Sequence, residues 1–297
     1  MAKYTLLHFT EGMNAAEVEQ YALRLESLGY DGVWIPELTG REPMALAGYI
    51  LAKTRTINVG IGIANIYVRD YVAAAQGRQT LAELSGGRFW LGLGVSHPML
   101  VEPRGHTFLP PTKAMGDYLK GILATTPDSP IPEFPAPIIC AAHGPKLLNI
   151  VRQHADGALC LNQPPEHTAR ARELLGKDKK LCVVVRTCFE QDYARAINLA
   201  RDALNFYVTL PAYHRTWKQA GYDESDFENG GSTRLIEAIF ALGDLDQIRD
   251  RIQSHIDAGA DEIVLYPINP REQLVEGQVG GLEPDWEVLE ALAPANN

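Results

Sequence analysis

SGGRFWLGLGVSH, residues 85–97, decides the fold. A helix predicted over 70–84 stops at Gly86-Gly87, because glycine takes the left-handed backbone conformation that closes a helix. After Arg88, residues 89–94 are apolar or glycine at every position. A strand with one face in water would alternate instead. This one is buried on both faces, as in parallel sheets covered by helices. The GLG at 92–94 is not a dinucleotide fingerprint, because GxGxxG is incomplete and no helix opens directly behind it.

Working outward, the same strand–helix unit recurs along the chain. Strands are predicted over 4–9, 32–36, 57–63, 89–94, 138–142, 158–161, 181–187 and 262–267. Helices are predicted over 15–28, 43–52, 70–84, 113–123, 145–154, 165–175, 192–207, 234–242, 245–258 and 285–292. Asn14 is an N-cap and Gly29 a stop for the first helix. Prolines at 127, 130, 132, 135 and 137 make the stretch before strand five an extended connection. An irregular, aromatic-rich insertion covers 208–232. Right-handed crossovers permit an open doubly wound sheet or a closed barrel. Eight units in 297 residues favour the barrel,. The expected fold is α/β, a (β/α)8 TIM barrel spanning 1–297 as one domain, with an insertion after strand seven.

Composition narrows the partners. Apolar residues make up 46% of the chain, and 37 acidic against 27 basic residues give a net charge of −10. With no basic run, nucleic acid and anionic membranes are not expected partners. The start MAKYTLLHF lacks a signal-peptide core, and no apolar run is long enough to span a membrane,. Cys140, Cys160, Cys182 and Cys188 lie in or beside strands without a CxxC, which suits buried, reduced thiols and a cytoplasmic location,. The chain lacks HExxH, GxSxG and GxxxxGK[ST], so no metal site is expected, and neither a nucleophile elbow nor a P-loop.

A barrel of this kind gathers its site at the C-terminal ends of the strands. That rule nominates His8, Glu37, the residues after Ile61, Gly94–His97, Ala142–Lys146, Asn162 and the region of Pro267. Glu37 either orients a ligand from the rim or pairs with Arg41. The glycines of VGIGIAN, 59–65, either clear a surface for a flat ring or permit a tight bend. His97 is either a general acid–base or a solvated loop histidine. IICAAHGPKLL, 138–148, runs from strand through Gly144 and Pro145 into helix, with Lys146 adding charge. It is either an anion site at a helix N-terminus or an ordinary capped turn. Tyr207, Tyr213, Trp217, Tyr222 and Phe227 line a pocket, form a lid, make a satellite core or meet another subunit.

DGVWIPE at 31–37, GIGIAN at 60–65, SGGRF at 85–89, LGLG at 91–94, ADG at 155–157 and AGADE at 258–262 together resemble the luciferase-like monooxygenase superfamily. The likeness runs in order to about residue 267. WIPE, GREP, GIGIANI and GLGVSH are most similar to its coenzyme F420-dependent oxidoreductases, (β/α)8-barrels that transfer hydride at the deazaflavin; close relatives use FMN. The resemblance implies an F420-dependent oxidoreductase acting on a small-molecule substrate. The alternatives are an FMN-dependent monooxygenase and a non-catalytic flavin-binding barrel. A homodimer is expected. It also implies a cis peptide at Gly62-Ile63 backing the ring, with Asn65, Gly94, Val95 and Ser96 beside the cofactor. Ala142, His143, Gly144, Pro145 and Lys146 would hold its phosphate. Glu37 and His97 are the catalytic candidates. Many members follow the acid of strand two with a histidine; Leu38 stands there in this chain. The deazaflavin's anionic tail wants a basic groove, and this acidic chain offers Arg69, Arg104 and Lys146 without an obvious cluster,.

Overall fold

The computed structural model describes residues 2–272 and 281–294. Eight parallel strands close on themselves: β1 Lys3–Leu7, β2 Gly32–Ile35, β3 Asn58–Ile61, β4 Phe89–Gly94, β5 Ile138–Ala141, β6 Gly157–Leu161, β7 Lys180–Phe189 and β8 Glu262–Pro267. Neighbours in sequence are neighbours in the sheet, and β8 lies between β7 and β1. Helices cover the outside, and the fold is the TIM barrel that the apolar runs predict. Among the described residues no helix is long and apolar enough to cross a membrane.

Local chemistry sets the ends of the helices. The Asn14 side chain accepts from the amides of Ala16 and Glu17, and Glu17 reaches back to the Asn14 amide,. Asp70 caps Tyr71–Ser85, and Gly86 closes that helix at φ 64°,.

Several boundaries differ from the sequence reading. β1 ends at Leu7, before His8 and Phe9, and β3 ends at Ile61. The Gly62–Ile63 peptide is cis, and a two-residue strand, Ala64–Asn65, then pairs with the top of β4. The helix predicted over 192–207 stops at Leu204, and the insertion contains a helix, Pro211–Gln219. The helix predicted over 234–242 stops at Ile239, and Phe240–Gly243 is a strand beside Arg186–Phe189 of β7. The reason lies in β7. Its pairing with β6 ends at Val184, and β8 occupies its other edge as far as Thr187. The free upper edge carries backbone groups that need partners, and Phe240–Gly243 supplies them.

The barrel is filled, not hollow. Trp34 of β2 is fully buried and lies 5.4 Å from Trp90 of β4. A Cβ on Gly60 would stand 2.4 Å from the Trp34 ring, and one on Gly92 would stand 1.7 Å from the Ile61 carbonyl oxygen. At the N-terminal end buried Glu262 accepts from Thr5 Oγ1, Trp34 Nε1 and Lys180 Nζ at 2.8–2.9 Å. This network plugs one end, and the opposite mouth is where the strand-end loops meet.

Candidate functional site

Leu38, Ile63, Leu161 and Leu282 rest on the inner barrel cluster and are only partly buried. They form an apolar shelf at the mouth. The glycines do not clear this shelf for a ring. A Cβ on Gly62 would meet Trp34 Cβ at 2.9 Å, and one on Gly94 would meet the Ile63 side chain at 2.3 Å. Their missing side chains make room for Trp34 and Ile63, so the shelf is built from side chains. Two loops leave the mouth with non-glycine residues at positive φ, Ser96 at 58° and Asn162 at 55°. Such conformations cost about 1 kcal/mol or more and concentrate where a loop must hold a functional geometry.

Glu37 lies at the rim after β2, but its carboxylate is committed. It accepts from the Asn65 amide at 2.7 Å and from Arg69 through both oxygens at 3.0 and 2.5 Å. Arg69 also meets Glu42 at 2.8 Å. The partner is Arg69, not Arg41, which donates to the Met13 carbonyl. Glu37 therefore fixes the loop carrying Asn65 and leaves no lone oxygen for a ligand. Arg69 is spent in the same pair, and Arg104 donates to the Leu38 carbonyl at 3.1 Å. Of the three cations considered for an anionic tail, Lys146 alone is exposed with no side-chain partner among the described residues.

His97 stands just before a short helix, Pro98–Val101, half-buried, with its ring edge-on to Phe206 at 6.4 Å. Burial lowers its pKa, which favours neutral imidazole,. His143 follows β5. Burial, and then the neighbouring His167 and His97, push its pKa down to about 3. Its Nδ1 has no partner among the described residues. His167 Nε2 lies 2.8 Å from the His143 carbonyl. A carbonyl only accepts, so His167 carries its proton on Nε2. Gly144 is the N-cap of Pro145–His154. Apart from its chain neighbours, no described residue lies within 4 Å of where a Gly144 Cβ would stand, and the first helical amides there have no intrahelical acceptor,. The helix N-terminus, open space at Gly144 and an unpaired Lys146 suit an anion.

His8 leaves the site. Its ring packs 5.2 Å from Tyr21 in the helix layer, and burial brings its pKa to about 4. The insertion is a satellite core that also walls the mouth. Trp217 Nε1 donates to the Asn162 carbonyl at 2.8 Å, Gln163 donates to Thr216 at 3.1 Å, and Tyr213 lies 5.2 Å from His143. All four cysteines are buried and free. Among the described residues no group of three or more metal-ligating side chains is placed to hold a metal.

Sequence reasoning passed over Arg186. It sits in β7 on the face of Cys182 and Val184, which point into the barrel. The signal was an arginine inside the apolar run VVVRT, two residues on from an inward valine,.

The luciferase-like monooxygenase family matches residues 4–262. The chain belongs to this family. Among relatives, the 5,10-methylenetetrahydromethanopterin reductase of Methanolobus tindarius is 26% identical over 310 residues, covering 90% of this chain and 95% of its own. The coenzyme F420-dependent tetrahydromethanopterin reductase from Methanopyrus kandleri superposes with a TM-score of 0.77 at 17% identity, over 99% of this chain and 98% of its own. An F420-dependent secondary alcohol dehydrogenase bound to an F420–acetone adduct gives 0.75 at 16% identity, over 100% and 99%. This luciferase-like protein thus shares its fold with both of these F420-dependent enzymes over nearly its whole length.

Proposed function

We propose that this luciferase-like barrel is an oxidoreductase that passes a hydride between coenzyme F420 and a small organic substrate at the mouth. The observation that carries the reading is the open backbone at Gly144, at the same end of the barrel as the apolar shelf of Leu38, Ile63 and Leu161. A flat ring with a phosphate-bearing tail matches that combination, and the two F420-dependent enzymes that superpose on the chain support a deazaflavin over FMN.

The chain's own residues would act as follows. The backbone of Ala142, His143, Gly144 and Pro145, with the Lys146 ammonium, would hold the phosphate. Asn65, Gly94, Val95 and Ser96 would flank the ring, with Ile63 beneath it. The deazaflavin, when bound, supplies the carbon that takes or gives hydride. His97 would take or return the substrate's proton, and its lowered pKa keeps the imidazole neutral and ready to accept,. Glu37 would act through Arg69 and Asn65 as a positioning residue. We also propose a homodimer, which light scattering at twice 32.7 kDa would support and a monomer mass would exclude. Parallel titration with F420 and FMN, followed by absorbance and tryptophan fluorescence, tests the cofactor. Tighter binding of F420 is expected; equal or tighter binding of FMN overturns it.

A further inference from the structure

Arg186 is 2% exposed and has no acidic partner among the described residues. A buried guanidinium without a counter-charge costs several kcal/mol. Three rings lie against it, Tyr266 at 4.6 Å, Tyr207 at 4.8 Å and Phe240 at 5.6 Å. They offset part of that cost. Nη1 donates to the Ala203 carbonyl at 2.5 Å. Among the described residues Nε and Nη2 have no acceptor in good hydrogen-bond geometry. Those two donors form one edge of the guanidinium, the fork that grips a carboxylate through two parallel hydrogen bonds.

The surroundings repeat the deficit. Both amide atoms of Asn162 at the end of neighbouring β6 and Gln163 Oε1 are buried and also unpartnered among the described residues, and Tyr266 Oη on the neighbouring β8 lies beside the guanidinium without a hydrogen bond of good geometry. Buried polar groups are almost always paired, so a cluster of orphans at one level of adjacent strands marks a place for a polar ligand. Tyr266 belongs to the inner barrel cluster, and Leu161 of the shelf packs on both that cluster and the insertion. Arg186 therefore sits where the mouth meets the insertion.

We propose that the Nε–Nη2 edge of Arg186 anchors the carboxylate of the substrate, with Tyr266 and Asn162 completing its hydrogen bonds. The substrate class is then a small organic acid. This rests on the mouth being the substrate site, as proposed above. The cofactor's own anionic groups are the other source of the same chemistry.

The test uses the full chain without cofactor, then with it. Thermal unfolding is followed with sodium crotonate and sodium benzoate, and with crotonamide and benzamide at matched ionic strength. The carboxylates are expected to raise the midpoint and the amides to leave it unchanged. Arg186→Gln should abolish the carboxylate shift, Arg186→Lys should keep part of it, and F420 affinity should stay within about threefold of the wild type. Equal shifts by acids and amides overturn the proposal, as does a carboxylate shift that survives in Arg186→Gln. A large loss of F420 affinity in Arg186→Gln overturns it in favour of the cofactor's anion. If Arg186→Gln fails to fold, Tyr266→Phe must weaken the carboxylate shift, and an unchanged shift there overturns the assignment. Failure of wild type to bind F420 counts against the cofactor reading alone, because the carboxylate arm is measured without it.

Discussion

At the residue scale, the mouth separates side chains that hold the protein from side chains left free to hold something else. Glu37 and Arg69 are 6% and 11% exposed and make a bidentate pair. Glu37→Gln keeps an acceptor for Asn65 but removes the charge beside a nearly buried guanidinium. It should cost about 3 kcal/mol in urea unfolding. A change below about 0.5 kcal/mol, within surface-substitution noise, would show that Glu42 alone suffices. Gly144 gives the opposite kind of test. Its φ of −84° and ψ of 153° suit any residue, and its Cβ position is empty. Gly144→Val should fold, at a cost of about 1 kcal/mol because valine is a poorer N-cap than glycine, yet lose cofactor affinity, and Lys146→Ala should weaken it by roughly 1–2 kcal/mol. Unchanged affinity in both variants removes this loop from the site. His97→Ala should lower turnover about 10²–10⁴-fold with cofactor affinity nearly intact. The pH profile carries the sign. With its pKa lowered by burial, His97 as a base is more neutral at pH 7 than a free histidine, and the rate should fall only below the ordinary histidine value of about 6.5,. A limb at or above that value, or one that persists in His97→Ala, excludes the role. The sequence placed Glu37 and His97 at the rim because strand ends are local. It did not disclose that Arg69, thirty-two residues on, takes both oxygens of Glu37.

At the scale of elements, the glycines of β3 and β4 carry a lesson about what a sequence conceals. Their presence was plain, and their reason was not, because the group they accommodate comes from another strand. Gly60 faces the Trp34 ring and Gly92 faces the Ile61 carbonyl. Gly60→Ala should destabilise by about 1–3 kcal/mol, and part of that should disappear in a Trp34→Leu background, since the clash is with a side chain. A coupling of roughly 1 kcal/mol is expected in a double-mutant cycle by chemical denaturation. Gly92→Ala strikes backbone, so Trp34→Leu should not rescue it. Rescue of Gly92→Ala, or strict additivity at Gly60, would mean that the barrel relaxes around the new methyl. The strand Phe240–Gly243 was missed for a related reason. Its apolar residues continue the pattern of the preceding helix, and only the unpaired upper edge of β7 selects strand over helix there.

At the scale of the molecule, the order of strands was legible because each βα unit is local and parallel strands need crossovers. The docking of the insertion and the convergence of Asn162, Arg186 and Tyr266 were not, since these come from different strands and a long loop. The resulting barrel is asymmetric. Its N-terminal end is closed by Glu262 and its three donors. Its C-terminal end carries polar atoms of His143, Asn162, Gln163 and Arg186 that are unpartnered among the described residues. A ligand that pairs them binds the native state only, so it must add RT ln(1 + [L]/Kd) to the stability, about 2.7 kcal/mol at one hundred times Kd. The gain should also be local. Hydrogen exchange with saturating cofactor should slow at the loops around 62–69, 94–104 and 142–148, whose backbone would touch the ligand. At Lys3–Thr5 and Lys180–Cys182, whose hydrogen bonds are complete without it, exchange by local opening should barely change, and only amides that open with the whole fold should slow, by the global gain,. Exchange slowed equally at both ends would mean that binding only raises the barrier to global unfolding. Slowing at the N-terminal end alone would place the ligand at the wrong end of the barrel and remove the mouth as the site.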